Sequence, residues 1–244
     1  MELIINGCSG GYPSDKRACS SYLLKVNGKN ILFDLGPGSL VNLQKHIDIE
    51  DIDLIVLSHL HFDHYSDLLP MSYSFGMRQK SGIDVKPIPI IFPFNNSSDK
   101  AIRESDRFTS INLKDNLEYT FEGIKFKFFV TCHPAECYAS RIECEGKIIV
   151  YTGDMNANTK NTDALFNNAD LAIMDCGELD YLNKSQKAHL TPSECFQFAK
   201  ENNVKKTILG HIIPHYSIEK YNEECFNLPD WNYIIAEDNK TFEI

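Results

Sequence analysis

The chain has 244 residues, of which 43% are apolar and 11% aromatic, enough to build a substantial hydrophobic core. Its formal net charge is −10 and its basic residues form no long cluster, which argues against a protein that binds long nucleic acids. No apolar stretch approaches the ~18 residues that cross a bilayer, the first residues show no secretory signal pattern, and the eight cysteines include no C-x-x-C pair. We therefore expect a cytoplasmic protein with reduced thiols and no membrane partner.

Short β-like runs recur from one end of the chain to the other, bounded by Gly, Asn, Asp and Pro. Asn27-Gly28 lies between two such runs and predicts a tight hairpin, and Glu122-Gly123 and Glu145-Gly146 mark two further turns. Neighbouring antiparallel strands should follow from these turns. We expect one α/β domain over residues 1–244, with strands stacked in sheets and helices outside them.

Helical signals are fewer than strand signals. One helix is expected after the histidine-rich stretch described below, with Ser66 or Asp67 as its cap. Another is expected in "HLTPSECFQFAKENN", where Thr191 can cap, a proline takes the first helical position and Glu194 completes a capping box. The polar segment 94–115 predicts either a third helix or a surface insertion.

The stretch "SHLHFDHYSDL", residues 58–68, follows the buried strand predicted in "DIDLIVLS". Its ligand-type side chains, His59, His61, Asp63 and His64, would emerge where a sheet ends in a loop. Alternate residues of an extended segment point to the same side, so His59 and His61 can chelate one ion while Asp63 and His64 turn towards a second. The alternative is a polar turn that is rich in histidine by chance.

"HLHFDH" resembles the signature of the metallo-β-lactamase superfamily, whose fold is a four-layer αββα sandwich with a one- or two-metal site at the edge of its sheets. The resemblance implies further ligands downstream, and "VTCHPAE", "VYTGD" and "ILGHIIPHY" supply His133, Asp154 and His211 after β-like runs. Taken alone, each of these three could be a packed histidine or a turn aspartate. The resemblance implies that His59, His61 and His133 bind one divalent ion. Asp63, His64 and His211 would bind the second ion, and Asp154 would bridge the two.

Two further positions, His189 and Asp34, match family features. His189 in "AHLTPSE" resembles the H-x-T motif of the ribonuclease Z-like phosphodiesterase branch, in which the histidine faces the scissile phosphate; alternatively it only orders a loop. The resemblance thus implies catalytic roles for His189 and Asp63. Asp34 in "LFDLGPGS" matches an aspartate that supports the first histidines, although a turn residue is nearly as good an interpretation. Glu178 follows another strand end and is expected either in a surface loop, the preferred interpretation, or near the site. His215, four positions after His211, could line the mouth of the cleft and has no assigned chemistry.

The site residues favour one chemistry within the family. Zinc β-lactamases commonly carry cysteine where this chain has Asp154, and flavodiiron proteins carry glutamate where it has His61. Two bridged divalent ions would activate a bridging hydroxide for hydrolysis. We expect these ions to be Zn²⁺, with Mn²⁺ or Fe²⁺ as alternatives. His189 favours a phosphodiester substrate, since a leaving alkoxide needs a proton donor or a cation. The alternatives are a glyoxalase II-like thioesterase or lactonase, and a non-catalytic metal-loaded binding or regulatory protein.

A ribonuclease Z-type tRNA 3′ endonuclease is another alternative. That enzyme inserts a long tRNA-binding arm between the residues that match His133 and Asp154, whereas here only 21 positions separate them. With the acidic composition, the missing arm predicts a small cyclic or linear phosphodiester substrate and no long nucleic acid partner. A homodimer is left open.

Overall fold

The computed structural model describes residues 1–94, 99–182 and 187–244. They form two compact units, residues 1–113 with 237–243, and residues 114–236 with 244. Each unit contains one seven-stranded sheet and its own helices. The single domain over residues 1–244 stays a prediction. No helix in the described part of the chain is long and apolar enough to cross a membrane, and the eight cysteines, all within that part, form no disulfide.

The sheet of the first unit has the strand order β14-β1-β2-β3-β4-β5-β6. Its strands are β1 Glu2–Gly7, β2 Ser21–Val26, β3 Lys29–Phe33, β4 Leu54–Val56, β5 Ile88–Phe92, β6 Phe108–Asn112 and β14 Thr241–Glu243. Its helices are α1 Ser39–Leu43, α2 Phe62–Tyr65, α3 Leu68–Lys80 and α4 Lys100–Arg103. Strands β3 to β6 are parallel neighbours, so their carboxyl ends lie along one edge of the sheet.

The sheet of the second unit has the strand order β13-β12-β11-β10-β9-β8-β7. Its strands are β7 Glu118–Phe121, β8 Ile124–Val130, β9 Tyr138–Cys144, β10 Lys147–Tyr151, β11 Leu171–Asp175, β12 Thr207–Gly210 and β13 Tyr233–Ile235. Its helices are α5 Thr162–Phe166, α6 Pro192–Glu201 and α7 Ile218–Phe226. Strands β10 to β13 are parallel, and their carboxyl ends again share one edge.

The three predicted turns are confirmed. Asn27 and Gly28 have φ values of 51° and 70°, the left-handed conformation that a type I′ turn requires, and they join the antiparallel strands β2 and β3. Glu122-Gly123 and Glu145-Gly146 repeat this arrangement between β7 and β8 and between β9 and β10. Both residues of each turn have positive φ, so the glycine removes the steric cost at the second position.

The helix predictions are confirmed in position. Thr191 and Glu194 form the capping box of α6, in which the Thr191 N–H donates to Glu194 Oε2 at 3.0 Å. Asp67 is the N-cap residue of α3, one of the two predicted, although its carboxylate makes no cap bond and accepts the N–H of Leu40 instead. In segment 94–115, residues 95–98 lie outside the described residues. The rest holds the one-turn helix α4, in agreement with the helix alternative, and the edge strand β6, which the sequence did not predict.

Each unit has its own hydrophobic core. In the first unit, α3 buries Leu68, Met71 and Phe75 in the same cluster as Leu32 and Ile55 of the sheet. The spacing of three, four and seven positions places these helical side chains on one face. Phe75 has no exposed surface, so its truncation to alanine would cost about 3–5 kcal/mol. This packing fixes the strand ends that carry the site residues.

Candidate metal centre

The histidine-rich stretch of the first unit follows the carboxyl end of β4. His59 and His61 lie in its extended part, and Asp63 and His64 lie in α2. The ring centroids of His59 and His61 are 4.6 Å apart, and those of His59 and His64 are 4.2 Å apart. Asp63 Oδ2 lies 3.5 Å from His64 Nε2. The predicted ligands of this unit therefore lie together, and all but His61 are buried.

Asp34 organises these histidines from the end of the neighbouring strand β3. Its fully buried carboxylate accepts hydrogen bonds from the Ser58 N–H at 2.7 Å and the Ser58 hydroxyl at 2.8 Å, and lies 2.7 Å from His64 Nδ1. The carboxylate can only accept, so Nδ1 of His64 carries the proton and Nε2 the lone pair that binds metals. Ser58 Oγ lies 3.0 Å from His59 Nδ1 and extends the network to that ring.

The second unit brings its candidate residues to the edge formed by β10, β11 and β12. His211 Nδ1 lies 3.2 Å from Asp154 Oδ1, and His133 Nε2 lies 3.6 Å from Asp154 Oδ2. Ligand atoms of Asp154, Asp175, His189 and His211 all lie within 4.8 Å of one another. Asp154 is 1% exposed, and a buried carboxylate among imidazoles is stabilised by a cation. Nitrogen and carboxylate donors of this kind suit a divalent metal ion.

The surroundings shift the pKa values of His133 and His189 in opposite directions. Burial lowers the pKa of His133, which favours the neutral imidazole that can ligate. Burial works in the same direction on His189, but the Asp175 and Asp154 carboxylates outweigh it and raise the pKa of His189 to about 9. The raised pKa favours the imidazolium form of His189, which is suited to contact with an anion.

Asp175 is the functional residue that sequence reasoning missed. Its side chain, fully buried at the end of β11, lies with Oδ2 2.9 Å from His189 Nδ1 and accepts the N–H groups of Met155 and Gly177, each at 3.0 Å. At position 177 an added Cβ would lie 2.8 Å from His189 Cγ, so only glycine lets the backbone approach the ring this closely. An aspartate directly after the apolar run "LAIM" was the available signal.

Two residues without an assigned role can now be placed. Glu178 is buried at 8% exposure, so the expectation of a surface position is wrong. Its N–H donates to the Leu190 carbonyl, which draws this loop towards the start of α6. His215 is exposed and packs edge-on against Tyr216 at 4.3 Å between ring centroids. The ligand and catalytic roles of the site residues stay predictions.

Histidine and carboxylate clusters at the ends of parallel strands define a metal-binding α/β protein, and the family described as "Beta-lactamase superfamily domain" matches residues 29–212. The chain belongs to the metallo-β-lactamase superfamily. The probable metallo-hydrolase YhfI of Bacillus subtilis is 27% identical over 224 residues, covering 89% of each chain. Ribonuclease Z of Archaeoglobus fulgidus is 26% identical over 300 aligned positions, covering 98% of this chain and 96% of the relative.

Solved structures confirm the predicted fold class. The crystal structure of the metallo-β-lactamase fold protein YhfI matches with a TM-score of 0.91 and 24% identity, covering 99% of this chain and 98% of YhfI. A diphosphatase from the PhnP family matches with a TM-score of 0.73 and 20% identity, covering 100% and 97% of the two chains. The chain thus has the metallo-β-lactamase fold.

Proposed function

We propose that this protein is a metal-dependent hydrolase with a dinuclear centre, acting as a phosphodiesterase on small cyclic or linear phosphodiesters. The observation that carries the proposal is the pair of Asp175 and His189, 2.9 Å apart, in which the buried carboxylate favours the cationic form of the imidazole. A cationic imidazole can neutralise a phosphodiester anion and can protonate an alkoxide as it leaves. Thiolates leave at neutral pH without such help, so the pair favours phosphodiesters over thioesters.

The metal ions would be held by the seven residues that match the family pattern. One unit offers three imidazoles and a carboxylate, and the other offers two imidazoles around a buried carboxylate. Donors of these types suit Zn²⁺, with Mn²⁺ or Fe²⁺ as alternatives. Bound divalent ions would supply Lewis acidity and lower the pKa of water at the site. The proposed ligands are His59, His61, Asp63, His64, His133, Asp154 and His211.

Two groups of the chain would move protons in this reaction. Nδ1 of His189 faces Asp175, which leaves the Nε2–H as the proton donor for the departing oxygen. Asp175 holds the ring in this tautomer and stabilises its charge. The Asp63 carboxylate would take the proton released by the attacking water.

The test compares substrate classes on the Zn²⁺-loaded protein. We expect hydrolysis of bis(p-nitrophenyl) phosphate, little turnover of S-lactoylglutathione or of a lactone, and loss of activity when chelators remove the metal. Faster turnover of the thioester or lactone would establish the second enzyme class instead. Inertness towards all three substrates at full metal loading would favour the non-catalytic binding or regulatory protein.

Cleavage of precursor tRNA is the second candidate, favoured by the likeness to ribonuclease Z over 98% of this chain. Against it, β9 and β10 are joined by the tight turn at Glu145-Gly146, with no arm between them. The two cations of this hairpin are already engaged: Arg141 donates to the carbonyls of Leu165 and Asn167, and Lys147 lies 3.9 Å from Asp170. Specificity constants for precursor tRNA and a small diester, measured in one buffer with one metal, would decide between them. A cytoplasmic location stays a prediction, and a homodimer stays open.

A further inference from the structure

The glycine-rich stretch "GCSGGYP" belongs to a loop over residues 8–18, which joins β1 to β2 in the first unit. At its tip, the N–H of Gly11 donates to Asp63 Oδ2 at 2.7 Å. The contact links two segments separated by 52 positions and reaches a proposed metal ligand and proton acceptor. A backbone N–H donated to a ligating carboxylate fixes which oxygen is turned towards the metal, as partners of metal ligands generally do.

The base of the 8–18 loop is closed by a residue near the other end of the chain. Asp238 accepts the Ala18 N–H at Oδ2 at 2.7 Å and the Cys8 thiol at Oδ1 at 3.3 Å. Since Cys8 and Ala18 are the two ends of the loop, one carboxylate bridges its entry and exit. The amide of Asn42 donates to the same Oδ2 at 3.0 Å and to the Asn6 carbonyl at 2.8 Å, which ties the clamp to β1 and α1.

The backbone of the loop supports the same closure. The N–H groups of Cys8 and Ser9 both donate to the Ala18 carbonyl, at 3.0 and 2.9 Å. Gly7 makes the approach possible, because a Cβ there would lie 2.0 Å from the Cys19 carbonyl oxygen. The tip itself is exposed at Gly11, where added atoms would meet nothing within 4 Å. The position of the Gly11 N–H therefore depends on how the loop is held at its base.

We propose that Asp238 is a positioning residue for Asp63: its carboxylate clamps the base of the 8–18 loop, so that the Gly11 N–H holds Asp63 in its ligating orientation. The inference rests on the proposed role of Asp63, and nothing in the histidine-rich motif indicates it, since Asp238 lies 175 positions further along the chain. The carboxylate acts through the loop and touches no reacting group.

The experiment measures Zn²⁺ affinity by competition with a chromophoric chelator, which needs no substrate. Asp238→Ala should weaken Zn²⁺ binding by ~10-fold or more, the effect typical of losing a partner of a metal ligand, and lower kcat for bis(p-nitrophenyl) phosphate with little change in KM. Asp238→Asn keeps an oxygen that can accept the Ala18 N–H and should restore most of the affinity. Glu237→Ala is the matched control and should behave like the parent. It removes an exposed neighbouring carboxylate that forms an ion pair with Lys240.

A double-mutant cycle separates positioning from general stability. In an Asp63→Asn background, Asp238→Ala should weaken Zn²⁺ binding no further, because the carboxylate through which it acts is gone. Parent-like affinity of Asp238→Ala, or an equal loss in both backgrounds, would overturn the proposal. If Asp238→Ala does not fold, Asn42→Ala takes its place in the cycle with a smaller expected loss. If the parent binds Zn²⁺ but cleaves no diester, the proposed function fails while the affinity cycle still decides the role of Asp238.

Discussion

Replacing Asp175 by asparagine tests the reasoning about His189 most directly. The carboxylate accepts from Met155 and faces His189 at Oδ2, and accepts from Gly177 at Oδ1. An amide keeps only one acceptor oxygen, so at best the Gly177 N–H loses its partner and faces an NH₂ group. A buried donor left in this way costs about 1–3 kcal/mol, which should appear in urea unfolding of the variant.

The loss of charge should matter more for activity than for stability. Burial lowers the pKa of His189, and the Asp175 carboxylate is one of the charges that raise it to about 9. Removing that charge in Asp175→Asn should therefore lower the pKa of His189. We expect Asp175→Asn to lose ~10²-fold in kcat and His189→Ala ~10²- to 10⁴-fold, the range of a lost general acid. The metal content of both variants should stay at the parent value, since neither residue is a proposed ligand.

The double variant makes the prediction refutable. Asp175 and His189 should act as one unit, so Asp175→Asn combined with His189→Ala should be no slower than His189→Ala alone. Steady-state hydrolysis of a dinucleoside monophosphate, whose alkoxide leaving group needs a proton donor, provides the comparison, with metal content measured on the same samples. Losses that multiply, or an Asp175→Asn variant with parent activity, would show that Asp175 does not act through His189.

Three further predictions concern the ligands, the stability and the substrate. His61→Ala should lower metal stoichiometry together with activity, while His215→Ala, at an exposed histidine outside the ligand set, should change neither; retention of all metal in His61→Ala would contradict the ligand assignment. Burial raises the pKa of Asp170, but Lys205 and the Ile148 N–H outweigh it and hold the pKa below its usual range; the stabilisation is therefore present above about pH 4 and lost as pH falls. Asp170→Asn should cost ~1 kcal/mol in urea unfolding at pH 7, and a gap that persists unchanged at pH 3 would refute this. Precursor tRNA should bind weakly at ~150 mM salt, and tight binding with a steep salt dependence would reveal a cationic surface that the hairpin of β9 and β10 does not supply.

Local patterns carried most of what the sequence could predict. The hairpin at Asn27-Gly28 and the capping box of Thr191 depend on residues within a few positions of one another, and so do the spacings of the histidine-rich stretch. Such signals are readable because neighbouring residues share one backbone conformation. Strand β6 was missed because its sequence "FTSIN" is polar and half-exposed, and the strand exists only by pairing with β5.

Contacts between distant segments could not be predicted in the same way. Asp175 meets His189 across 14 positions, and Asp238 meets Ala18 across 220. An aspartate after an apolar run is a common sequence event, and the fold decides whether it caps a turn or orients a histidine. The resemblance to a known family supplied the ligand set and one supporting residue, Asp34, but it carried no information about Asp175 or Asp238.

The backbone at two site residues shows what a strained conformation contributes here. Asp34 and His211 both follow sheet strands and have φ values of 53° and 56°, a left-handed conformation that costs roughly 1–2 kcal/mol for residues other than glycine. Asp and His are among the residue types that tolerate it best, and the buried hydrogen bonds of Asp34 to Ser58 offset the cost. Because this conformation turns the chain sharply at the end of a strand, it directs each side chain back towards its cluster. Glycine at either position would relieve the strain but would remove the functional group. The strained backbone is therefore the cost of placing a carboxylate or an imidazole at this point of the sheet edge.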